Sequence, residues 1–131
     1  MYFGKILTEK EAASLNPLVL AYVGDAVESL YVRHNLAVSH DSKAGELHKL
    51  ASERVNAKEQ AVLADAVWDT LTEEEKSIFM RGRNGKAHHK AKNQTGADYR
   101  RATGLEAVLG YLYLTGNVGR ITQLLGNRYE D

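Results

Sequence analysis

The chain has 131 residues, with 17 Lys and Arg balancing 17 Asp and Glu, a single Pro and no Cys. That length suits one domain with a core of its own, and the lack of Cys rules out disulfides and thiolate metal sites. The opening stretch MYFGKILTEKEAAS turns polar after seven residues, so no secretory leader is expected. No apolar run approaches the ~20 residues that span a bilayer, so a cytoplasmic protein with no membrane partner is expected. The zero net charge is segregated. Between positions 81 and 101, Arg81, Arg83, Lys86, Lys90, Lys92, Arg100 and Arg101 stand against Asp98 alone, giving +6 there and −6 elsewhere. Such a segment has the footprint of a phosphate-binding surface, although a solvated basic loop would read the same.

Taken in chain order, the predicted elements are helical. Asn16-Pro17 reads as an N-cap followed by Pro at the first helical position. The helix it opens runs to about Arg33 and is apolar around much of its circumference (Leu18, Ala21, Tyr22, Val32), which marks a central, buried helix. Asp41-Ser42 opens the next helical stretch, carrying Leu47, Leu50, Val55, Ala61, Val62 and Val67, with a break near Val55-Asn56. Thr72 to Glu75 has the form of a capping box, and its helix carries Ile78, Phe79 and Met80. Residues 82–98, rich in Gly, Asn and Lys, have no apolar periodicity and read as a loop; one so long usually has a function. A strongly apolar helix from Tyr99 to about Leu114 ends at Gly116-Asn117, and a short amphipathic helix runs from about Val118 to Arg128. With no repeat and no linker, residues 1–131 are expected to form a single all-α domain, a helical bundle.

Two acids sit where helix physics disfavours them. Asp25, in LAYVGDAV, interrupts an apolar helix although Asp is a poor helix former and is seldom buried unpaired. Its neighbour Gly24 costs about 1 kcal/mol relative to Ala inside a helix, which implies that something approaches that backbone closely. Glu106, in ATGLEAVLGYLYL, repeats the pattern between Gly104 and Gly110. Two such acids either pair with a core Arg such as Arg33 or Arg54, or share a hard cation such as Mg²⁺ that could assist phosphodiester hydrolysis. The adjacent His88 and His89 lack zinc-ligand spacing, and no GxSxG, Walker A or HExxH motif is present. Tyr22, Tyr31, Tyr111 and Tyr113 are expected to serve packing or an interface rather than base stacking, because a duplex hides its bases.

LAYVGDAV resembles the signature helix of the ribonuclease III family, roughly E-x-x-E-F-L-G-D-A, and ATGLEAVLGYLYL resembles its second acidic helix, D-x-x-E-A-L-x-G-x-x-Y. LHKLASERVNAKEQA, RGRNGKAHHKAKN and YRRATGLEA look closely like the Mini-ribonuclease III subfamily, and the similarity runs from about Leu15 to Leu125. The resemblance implies an all-helical endonuclease domain, a homodimer, Mg²⁺ dependence and double-stranded RNA as substrate, with a role in maturing precursor large-subunit ribosomal RNA. It assigns Asp25 and Glu106 as the catalytic, metal-holding carboxylates and Tyr22 as the aromatic that packs into the partner subunit. No room is expected for the family's additional double-stranded-RNA-binding domain before Asp131, so the basic segment is expected to supply much of the RNA contact.

This sequence departs from the family pattern at two positions. The signature Glu four residues before the Asp falls on Ala21, and the Asp three residues before the Glu falls on Thr103. Glu28, one turn after Asp25, could compensate, but a solvated Glu is the expectation. The two losses also keep open an alternative, a non-catalytic RNA-binding or ribosome-assembly module with the same fold.

Overall fold

The computed structural model describes residues 2–40, 42–85 and 96–129, and among these it is helical, without strands. A short helix, α1 (Glu9–Ala13), precedes the elements read from sequence. Its signal is a capping box: the Glu11 amide donates to Thr8 Oγ1 at 3.1 Å, and the Thr8 amide donates to Glu11 Oε1 at 2.9 Å. Helix α2 (Pro17–Ser39) starts where expected, with Asn16 Oδ1 accepting from the Leu18 amide at 2.8 Å. It continues past Arg33 because Leu36, fully buried, prolongs its core-facing stripe.

Helix α3 (Ala44–Arg54) and α4 (Ala57–Val67) are separated at the predicted break, where Val55 leaves helical geometry and Asn56 caps α4 through the Glu59 amide. The cap of α3 is Lys43; Ser42 lies before it and Asp41 lies outside the described residues. A 3₁₀ turn (Trp68–Thr70) leads to α5 (Glu73–Arg83), which opens on the predicted Thr72/Glu75 capping box. Glu75 also takes two bonds from Arg120, at 2.9 and 2.8 Å, tying α5 to the last helix.

The expected loop at 82–98 is shorter at both ends. Gly82 and Arg83 complete α5, and α6 (Gly96–Leu114) begins before Tyr99, its first turn stabilised by an Asp98–Arg101 pair at 2.7 Å. Residues 86–95, including Lys86, Lys90, Lys92, His88 and His89, lie outside the described residues. Helix α6 ends in a Schellman turn at Gly116, whose φ of 81° suits glycine; the Asn117 amide reaches back to the Leu112 carbonyl at 2.8 Å. Helix α7 (Val118–Tyr129) follows.

The central helix is α6 rather than α2. From Ala102 to Leu112 every α6 residue except Glu106 is buried, with α2 packed along it and α4 and α5 alongside. Helix α2 buries one face, Leu20, Ala21, Gly24, Glu28, Val32 and Leu36, and exposes a second apolar stripe of Val19, Tyr22, Leu30 and Val38. Its apolar circumference therefore reports two faces, one of them uncovered.

Candidate active site

The two acids meet because two glycines let two helices touch backbone to backbone. A Cβ at Gly24 would collide with the Glu106 carbonyl, and one at Gly110 would collide with the Leu20 carbonyl. The close approach inferred from Gly24 in the sequence is thus a contact with the second acidic helix itself. Asp25 follows Gly24 in the chain, so the same contact carries its side chain to Glu106, and the two carboxyl groups share a hydrogen bond.

Glu106 sits in a hostile place for a charge. Its carboxyl is pushed up to about 9, first by burial, then by the charge of Asp25 and the hydrogen bond with it, and then by the charge of Glu28. A bond donated by Gln60 Nε2 to Glu106 Oε2, at 3.2 Å, offsets part of this. Asp25 is exposed and edges a small polar pocket of about 130 Å³ shared with Ser29, Arg33, Ser52 and Val55. The described partners of Glu106 are Asp25 and Gln60, so its burial is not compensated by Arg33.

Glu28 overturns the expectation of a solvated side chain: it is 0% exposed and accepts from Gln60 Nε2 at 2.6 Å. Its position on the buried face of α2, one turn from Gly24, leaves its side chain no route to water. Gln60 was missed in the sequence. A signal existed, since Ala57, Ala61, Ala64 and Val67 form the buried stripe of α4 and Gln60 is its polar exception. The two positions where family acids are missing both face inward. Ala21 is core, and Thr103, 6% exposed, donates its hydroxyl to the Tyr99 carbonyl at 2.9 Å.

The donor set at this site is all hard oxygen, which suits Mg²⁺ rather than a softer metal. Asp25 and Glu106, sharing one hydrogen bond between two carboxyl groups, present the charge that such a cation would neutralise. Among the described residues no group of three or more His, Cys, Asp and Glu side chains could hold a metal unaided. A cation there would lean on water or on substrate oxygen.

The expected RNA-contacting residues are dispersed in their bonding. Arg81 donates to the Ala13 and Leu15 carbonyls at 2.6 and 3.1 Å, fixing the end of α1 against α5. Arg101 pairs with Asp65 at 3.3 Å and with Asp98, whereas Arg83, among the described residues, bonds its neighbour Asn84 and Arg100 is exposed. Tyr22, expected at a subunit interface, is 80% exposed in the single chain.

The family model for the Ribonuclease III domain matches residues 18–117. Several curated relatives are named Mini-ribonuclease 3. One from Thermoanaerobacter is 45% identical over 121 residues, covering 92% of this chain and 85% of its own. One from Brevibacillus brevis is 46% identical over 110 residues (84% and 82%), and one from Staphylococcus aureus 44% over 115 residues (85% and 84%). Among solved structures, the X-ray structure of a Fusobacterium nucleatum protein matches with a TM-score of 0.79 at 30% identity, over 87% of this chain and 91% of that one.

Proposed function

The chain belongs to the ribonuclease III family, in its Mini-ribonuclease 3 branch, and is an endoribonuclease; from that premise we propose that it cleaves double-stranded RNA with Mg²⁺ held by Asp25 and Glu106. The observation that carries this reading is the contact of Gly24 with the Glu106 backbone, which joins two acids that helix propensity would have kept out. When bound, Mg²⁺ supplies acidity to a water and positive charge against the phosphate oxygens. Glu106 holds its proton at neutral pH while no cation is present, and must release it to act as a ligand. Asp25, at the solvent edge, is the acid a phosphodiester reaches first.

The basic segment supplies the contacts to the RNA backbone, with Lys86, Lys90, Lys92, Arg83 and Arg100 on phosphates and Arg81 and Arg101 anchoring its two ends. Recognition is of A-form shape, through phosphates and 2′-hydroxyls. A homodimer formed through the exposed α2 stripe around Tyr22 places two such sites in two-fold relation, which matches the two antiparallel strands of a duplex. An apolar stripe left open on a small domain is what such an interface requires. Precursor large-subunit ribosomal RNA in the cytoplasm is the natural substrate we assign. The test is Mg²⁺-dependent cleavage of a long RNA duplex and of its separated strands. Cleavage of the duplex that Asp25→Asn abolishes supports the reading, and a variant that cuts at the wild-type rate removes Asp25 from the site.

A further inference from the structure

Glu28 and Gln60 are the largest anomaly in this core. A Glu side chain is almost never fully buried without a partner, yet Glu28 is 0% exposed and Gln60 only 5%. They come from different helices, α2 and α4, and their bond of 2.6 Å is short for an N–H donor. Replacing a buried polar pair by apolar side chains of similar volume is often neutral or stabilising. Packing therefore gives no reason to keep this one.

The geometry supplies a reason. Gln60 Nε2 contacts carboxylate oxygens of both Glu28 and Glu106, at 2.6 and 3.2 Å. An amide nitrogen carries two hydrogens, whereas the amide oxygen can only accept. Two carboxylates on one side of the amide thus determine its orientation, and both hydrogens are donated, one to an acid on α2 and one to an acid on α6. Glu28 makes the shorter bond and pins the amide; the amide in turn pins one oxygen of Glu106. The plane of the Glu106 carboxyl group is then set before any ligand arrives. We propose that Gln60 is a positioning residue for Glu106, held in its working orientation by the buried carboxylate of Glu28, and that this relay from α2 through α4 to α6 fixes the carboxylate that binds the cation.

This inference rests on the assignment of Glu106 as a metal ligand. It is tested on RNA-free protein by titrating Mn²⁺ and following the free ion by electron paramagnetic resonance, alongside melting curves and the Mg²⁺ requirement of cleavage. The double variant Glu28→Leu/Gln60→Leu removes the whole relay and leaves apolar volume. Its Mn²⁺ affinity should fall by about 10–100-fold, the usual loss when a group behind a metal ligand is removed, while its melting temperature holds or rises. The Mg²⁺ needed for half-maximal cleavage should rise in step, with RNA affinity unchanged. Glu28→Gln keeps an oxygen for the Gln60 amide and should bind Mn²⁺ nearly as the wild type does. Should the double variant not fold, Gln60→Asn keeps the amide but is too short to reach both acids, and should show the same direction of change. A folded double variant, or a folded Gln60→Asn variant, with wild-type Mn²⁺ affinity overturns the relay. Wild-type protein that binds no Mn²⁺ overturns it too, but by removing the metal site, a result seen before any variant is compared.

Discussion

Glu106→Gln should make the metal-free protein more stable at neutral pH, and the gain should depend on pH in a defined way. In the folded state the Glu106 carboxyl titrates at about 9, against 4.5 for the free side chain, chiefly because of burial and then of Asp25. The folded protein therefore keeps a proton that the unfolded chain releases. Stability is unaffected below about pH 4.5, falls as pH rises through that window, and levels off near pH 9. From 4.5 to neutrality is about 2.5 pH units at about 1.36 kcal/mol each, or about 3 kcal/mol. That figure is an upper bound, because Asp25 lies at the solvent edge where its charge is screened. Glutamine has the shape of the protonated acid, can accept from Gln60 and can donate to Asp25, so the variant escapes the loss. Urea unfolding at pH 4, 7 and 9 without divalent cations should show the two proteins equal at the lowest pH and the variant ahead at pH 7. Mg²⁺ should then close the gap, since a ligand at 100 times its dissociation constant adds about 2.7 kcal/mol to the protein that binds it. A pH-independent difference, or a variant less stable than wild type at pH 7, refutes the buried-acid reasoning.

Three further outcomes are expected. If the proposed dimer buries Tyr22, Tyr22→Ala should shift the protein toward monomer in sedimentation and lower cleavage with it, since loss of an aromatic buried at such an interface costs about 3–5 kcal/mol; a variant still dimeric at low concentration moves the interface off α2. Replacing Lys86, Lys90 and Lys92 together with Ala should weaken RNA binding and lower its log–log salt slope by about 0.7–0.9 per lost phosphate contact, and an unchanged slope in a filter-binding series would take this segment off the phosphates. Thr103→Asp, which restores a family acid on paper, should lose about 2 kcal/mol or more by thermal melt, because it buries a carboxylate where a hydroxyl now satisfies the Tyr99 carbonyl. An Asp there that melts like wild type and lowers the Mg²⁺ requirement would mean that the position opens to the site.

What the sequence determined by itself was everything that depends on neighbours along the chain. The Asn16-Pro17 start of α2, the Thr72/Glu75 box, the break at Val55-Asn56 and the stop at Gly116 are all legible because caps and breakers act within one turn. The capping box of α1 was equally legible at Thr8 and Glu11, though such a short helix has no apolar stripe to draw attention to it. Asp25 and Glu106 stood out for the same local reason, as acids beside glycines in apolar helices.

Tertiary structure alone decided which face of each helix is covered. Periodicity describes α2 as apolar around much of its circumference, but only packing against α6 separates the buried stripe through Leu20 and Val32 from the open one through Tyr22 and Leu30. The fates of Glu28 and Gln60 were settled the same way. A Glu in a helix is solvated or buried according to which neighbour lies beyond it, and for Glu28 that neighbour is a Gln from 32 residues further along the chain. Arg81 likewise read as an RNA-facing charge in a basic segment, and the fold turns it to the carbonyl groups at the end of α1, 66 and 68 residues away. Hydrogen bonds that close over such distances leave no trace in local spacing, because their geometry exists only once the helices have docked.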